Sequence, residues 1–139
     1  MVRTEWNAAI VDELFAGCKK MLEKHQVEFF DFRVPGVFEI PFAIKKYWET
    51  TGKKRPDAFI ALGCVIQGDT PHFEYVCRAI TDGVSALNLQ LPVPVIFGVL
   101  TVNNIEQAKE RTGGIHGNKG EEAAEAALKM ISLSRSLKR

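Results

Sequence analysis

A chain of 139 residues with 46% hydrophobic and 25% charged side chains is one soluble globular domain, large enough to bury a core without metal or disulfide support. A net charge of +1 gives no basis for a nucleic-acid or membrane-surface partner, and neither a membrane-length apolar run nor a signal peptide is visible. Cys18, Cys64 and Cys77 are odd in number and lack CxxC spacing, so they read as reduced, buried thiols of a cytoplasmic protein and not as metal ligands.

Residues 1–6 carry only the last few positions of an opening strand, so the first strand reads as truncated. Residues 7–25 place Ile10, Leu14, Phe15, Cys18 and Leu22 at helical spacing. Residues 27–34 are aromatic and β-branched, a strand ended by Pro35-Gly36. A helix follows over 39–50, where Pro41 is tolerated because it falls in the first turn. Lys53, Lys54 and Arg55 mark a solvated loop. Residues 58–66 form a nearly all-apolar strand that runs through a short polar loop into a helix over 71–87. Thr70 is expected as its N-cap and Pro71 as its first residue. A second apolar strand spans 93–100. Asn103 or Asn104 then caps a short helix to Thr112, which Gly113-Gly114 breaks. Asn118-Lys119-Gly120-Glu121 has capping-box spacing and launches a helix through residue 137, with Ala123, Ala127, Met130 and Ile131 on one face.

Apolar strands alternating with helices imply a three-layer α/β sandwich, with a parallel, flavodoxin-like sheet of about four strands in a single domain over 1–139. The opening strand is expected inside that sheet. Removing an inner strand would leave its neighbours' backbone groups unpaired, so the chain is expected to be trimmed there or to accept a foreign strand.

In such sheets ligands bind beyond the carboxyl ends of the strands. The candidates there are Trp6, the Val37-Phe38-Glu39 turn, the loop over 64–72 and the residues following Phe97. The loop is the most informative, because free N–H groups and the positive helix dipole at its end suit a phosphate. His72 falls in the same first turn, where the dipole disfavours imidazolium and leaves a neutral imidazole able to exchange protons. Plainer roles compete at each position. Phe38 and Phe97 fit a core pattern, Glu39 a first-turn carboxylate, and Arg111 a solvated last-turn cation. His25 reads as surface, and His116 has no evident partner.

Several stretches occur together in one order across nearly the whole chain. They are Thr4-Glu5-Trp6-Asn7, Val34-Pro35-Gly36-Val37-Phe38-Glu39-Ile40-Pro41, residues 63–77, Pro94-Val95-Ile96-Phe97-Gly98-Val99-Leu100-Thr101, Asn104-Ile105-Glu106-Gln107-Ala108, Glu110-Arg111 and Gly117-Asn118-Lys119-Gly120. In them the chain resembles the lumazine synthase family. That resemblance implies condensation of 5-amino-6-(D-ribitylamino)uracil with 3,4-dihydroxy-2-butanone 4-phosphate to 6,7-dimethyl-8-ribityllumazine, phosphate and water, with no cofactor and no metal. It implies that Trp6 stacks on the pyrimidine and that Val37, Phe38, Glu39, Cys64, Val65 and Ile66 bind the uracil and ribityl chain. Asp69, Thr70 and Arg111 would hold phosphate, His72 would transfer protons and Phe97 would pack on the heterocycle. It also implies a pentameric homo-oligomer with sites shared between neighbours. The short loop over 113–118 leans towards pentamers packing into an icosahedral shell. Where many members carry Lys after the arginine, this chain has Ile115 followed by His116, which places more weight on Arg111; the role of Lys119 is open. Two alternatives keep the fold without the chemistry: a flavin- or phosphate-binding module, and a structural shell protein.

Overall fold

Val2, Arg3 and Thr4 form an inner strand of the sheet. The computed structural model, which describes residues 1–138, runs from this β1 (Val2–Thr4) into α1 (Ala8–Lys24) and β2 (Phe32–Val34). A 3-10 turn over Val37–Glu39 leads into α2 (Ile40–Thr50), β3 (Phe59–Ile66), α3 (His72–Gln90) and β4 (Val95–Val102). The chain closes with α4 (Ile105–Glu110), the strands β5 (Thr112–Gly114) and β6 (Gly117–Asn118), and α5 (Lys119–Ser136). Four parallel strands lie in the order β2-β1-β3-β4, with β3 and β4 in register from Phe59↔Val95 to Ile66↔Val102.

Strand alternation supplies both cores. Ile60, Leu62 and Cys64 turn towards Ile10, Leu14 and Cys18 of α1 and Ala123, Ala124 and Ala127 of α5. Phe59 and Ala61 turn the other way, onto Ile40 and Ile44 of α2 and Ile80, Val84 and Leu87 of α3. This is the three-layer sandwich expected from the sequence, with the opening strand seated inside the sheet.

Four boundaries differ from expectation. β2 is three residues long because β1 offers only Val2, Arg3 and Thr4 as partners; before it, the N-terminal ammonium donates to the Phe30 carbonyl at 2.7 Å. α3 begins at His72 with Pro71 in the cap position, and Thr70 makes no capping bond among the described residues, so the hydroxyl cap is corrected to an uncapped start. β4 starts two residues later than expected, at Val95. Asn88 fixes that start, its Nδ2 donating to the Val84 and Val95 carbonyls at 3.0 and 2.9 Å while its Oδ1 accepts from Val95 N–H at 2.8 Å. The short helix expected to reach Thr112 ends at Glu110 instead, with Arg111 as its C-cap, and Gly113-Gly114 belong to the β5–β6 hairpin, with Gly113 and Gly117 at φ 112° and 70°. Left-handed backbone of this kind favours glycine.

α5 opens as expected on Asn118, whose Oδ1 accepts from Gly120 and Glu121 N–H at 2.8 and 3.1 Å. Gly120 lies so close to α1 that a Cβ would collide with the Leu14 carbonyl. Met130, placed with the core-facing residues of α5 by periodicity, is exposed, and Ala124 is buried instead.

Candidate active site

The carboxyl ends of β1 and β3 open into a cleft of about 500 Å³. Cys64, Val65 and Ile66 line it from the end of β3, and Val37, Phe38 and Glu39 from the 3-10 turn. Trp6 follows β1 on one side; Thr70 and His72 precede and open α3 on the other. Nine of the twelve residues expected at the site therefore share one cleft.

Each wall is fixed by local chemistry. Trp6 N–H donates to the Pro35 carbonyl at 3.2 Å and Thr4 Oγ1 to the Trp6 carbonyl at 3.1 Å, so the backbone is anchored while the indole remains 72% exposed. Phe38 is 64% exposed, so it is not the core residue its pattern suggested but a free aromatic face at the cleft. Glu39 holds its own turn, its Oε2 accepting from Gly36 N–H at 2.9 Å. Asn7 went unassigned by sequence reasoning. It adopts left-handed backbone (φ 57°), and its Nδ2 donates to the Cys64 carbonyl at 2.8 Å, tying the start of α1 to the floor of the cleft. Asparagine tolerates this conformation better than most residues, which is the signal its position after Trp6 carried.

His72 is exposed at the first residue of α3 and lines the cleft. Burial pushes the Cys64 thiol up to about 11, so it stays protonated near neutrality and shapes the floor without acting as a nucleophile. Phe73, Val76 and Gly68 also line the cleft without having been singled out by sequence.

Three expected residues lie elsewhere. Asp69 is exposed in the loop and does not line the cleft. Phe97 lies opposite Ala61, in the amino half of β4, and not at the carboxyl ends. It shares with Arg111 a second hollow of about 390 Å³ beside β4, the outermost strand on that side, and no residue lines both hollows. In one chain, then, the fold separates Phe97 and Arg111 from His72. Among the described residues no group of three His, Cys, Asp or Glu side chains converges as a metal site, and no helix is long and apolar enough to cross a membrane.

The sequence profile of the 6,7-dimethyl-8-ribityllumazine synthase family matches residues 1–135. The chain belongs to this family. It is 47% identical over 137 residues to the 6,7-dimethyl-8-ribityllumazine synthase of Parabacteroides distasonis, covering 96% of this chain and 84% of that one. Against the enzymes of the same name, identity is 46% over 140 residues in Bacteroides fragilis, with 99% and 96% covered, and 48% over 134 residues in Porphyromonas gingivalis, with 94% and 81% covered. The lumazine synthase resemblance carried by the short motifs thus extends over the whole fold, and the cleft of this family member holds most of the residues those motifs marked.

Proposed function

We infer that the protein catalyses the lumazine synthase reaction. It is a transferase of riboflavin biosynthesis that joins 5-amino-6-(D-ribitylamino)uracil to 3,4-dihydroxy-2-butanone 4-phosphate, releasing phosphate and water. The family match over residues 1–135 carries this reading and favours it over a non-catalytic module or a shell protein alone.

The site chemistry suits the steps. The pyrimidine stacks on Trp6, and the uracil and ribityl chain lie along Val37, Phe38, Glu39 and the backbone of Cys64, Val65 and Ile66. An amine of the pyrimidine attacks the ketone and loses water to form a Schiff base, phosphate then leaves by elimination, and ring closure by the second amine expels a second water. His72 moves the protons. Thr70, Asp69 and the uncapped N–H groups of α3 receive the phosphate, with Arg111 as its cation. Proximity supplies much of the acceleration, because two small molecules are held in reactive geometry.

Phe97 and Arg111 reach this cleft from an adjacent copy in a pentameric ring, which accounts for their position in a separate hollow. Packing of such rings into an icosahedral shell, and a cytoplasmic location, complete the reading. The test is to give purified protein both substrates and follow lumazine absorbance with and without chelator. Product formed at the same rate in both supports the reading, whereas activity that disappears with chelator and returns with added metal overturns the metal-free mechanism.

A further inference from the structure

Arg111 is held along one side of its guanidinium. Nη1 donates to the Gln107 carbonyl at 2.9 Å and lies 3.4 Å from Glu110 Oε2. Nε and Nη2 have no protein partner among the described residues, so the edge able to grip two oxygens of one anion is free. The same Glu110 Oε2 stands 3.9 Å from His116 Nε2. His116 N–H donates to the Glu110 carbonyl at 2.8 Å, which folds the β5–β6 hairpin back over the end of α4. One carboxylate oxygen therefore lies between an imidazole and a guanidinium, and all three side chains are partly exposed.

We propose that Glu110 and His116 are positioning residues for Arg111, and that protonation of His116 strengthens the grip of Arg111 on a phosphate monoester by drawing Glu110 towards the imidazole. This deepens the lumazine synthase reading and rests on it. With His116 neutral, the Glu110 carboxylate opposes an incoming anion and competes for Nη1. With His116 charged, the carboxylate is shared and a positive charge is added nearby. Both effects favour phosphate once the imidazole is protonated, so binding tightens as pH falls. Of the neighbouring charges, Lys119 and Glu122 at the start of α5 pair with each other at 2.8 Å. Lys109 on α4 is exposed, and Glu13 on α1 meets the hairpin through its backbone carbonyl, which accepts from Asn118 Nδ2 at 3.0 Å.

The test is calorimetric titration of the intact assembly with inorganic phosphate at a series of pH values from about 5 to 8, using wild type, His116→Ala, His116→Lys, Glu110→Gln and Arg111→Ala. Raising the pH should weaken binding roughly two- to five-fold more in wild type than in His116→Ala, the scale of one exposed ion pair. Titration of phosphate itself is common to both proteins and cancels in the comparison. His116→Lys should hold the tighter affinity throughout, and Glu110→Gln should bind tightly with no excess pH dependence. Superimposed wild-type and His116→Ala curves, or unchanged binding in Arg111→Ala, overturn the proposal. In the lumazine assay the same variants should move the Michaelis constant for the phosphate substrate and leave that for the pyrimidine in place. Lumazine formed with superimposed binding curves defeats this inference alone. Absence of lumazine with the pH-dependent binding intact defeats the reaction reading and leaves the positioning role standing.

Discussion

His72 is exposed at the first residue of α3, so replacing it with alanine removes the proposed proton-transfer group without emptying the core. Turnover in His72→Ala should fall by about 10²-fold, the low end for general acid–base loss, with smaller changes in both Michaelis constants. Steady-state lumazine formation measures this, and unchanged turnover at saturation would assign the protons to another route. Arg111→Ala should raise the Michaelis constant for the phosphate substrate far more than that for the pyrimidine, because alanine cannot replace a charge-assisted fork. Equal effects on both substrates would place the phosphate elsewhere. The buried thiols supply a pH test. Burial raises Cys18 to about 12 and Cys64 to about 11 from an ordinary value of 9.0. Below that ordinary value folded and unfolded chains bind the same thiol protons and no slope arises. Above it the unfolded chain releases protons that the folded one retains, so stability falls with rising pH by up to about 1.4 kcal/mol per pH unit per thiol. Urea midpoints of a Cys18→Ala, Cys64→Ala double variant should accordingly decline less steeply above that value than those of wild type; equal slopes would exclude the thiols as the cause. His72, Trp6 and Glu39 were legible as candidates that meet at one cleft, because residue type and position near a strand end coincide there. Asn7 was not, since its role depends on a carbonyl far along the chain, at Cys64.

At the level of elements, the start of α5 joins a helix cap to a close contact with a neighbouring helix. Asn118 caps two N–H groups and its Nδ2 also donates to the Glu13 carbonyl on α1 at 3.0 Å. Asn118→Ala should lower the unfolding free energy by about 1–2 kcal/mol. Gly120→Ala should cost about 1–3 kcal/mol, because the added methyl group meets the Leu14 carbonyl and α1 has to shift. Thermal and urea unfolding measure both, and a neutral Gly120→Ala would show that the two helices can separate there. The cap at Asn118, and Asn104 as one of two candidates, were readable because a cap is a local event, although the Thr70 cap expected on the same ground did not form. Strand ends were less readable because ladder partners set them: β2 stops where β1 stops, and β4 is shifted by the Asn88 clamp and the reach of β3. The glycine pair announced a break without disclosing the hairpin, since a turn signal does not say what the chain pairs with next.

For the whole molecule, the layer order followed from strands apolar along their length, but the distribution of the site did not. Sequence spacing reveals residue types near strand ends, not which hollow receives them, and Phe97 in the amino half of β4 lies on the far side of that distinction. Light scattering of the purified protein should give the mass of a pentamer or of a multiple of pentamers, and a fully active monomer would refute the shared site. The complete separation of the two hollows has a sharper consequence, because it permits genetic complementation between defective copies. In the proposed ring His72→Ala would spoil one half of every interface and Arg111→Ala the other, so each protein should be impaired alone. Unfolded together and refolded, the two should form hybrids of the proposed ring, in which chance pairs an intact histidine half with an intact arginine half at about a quarter of the interfaces. Two damaged proteins should thus recover activity on mixing that neither has separately.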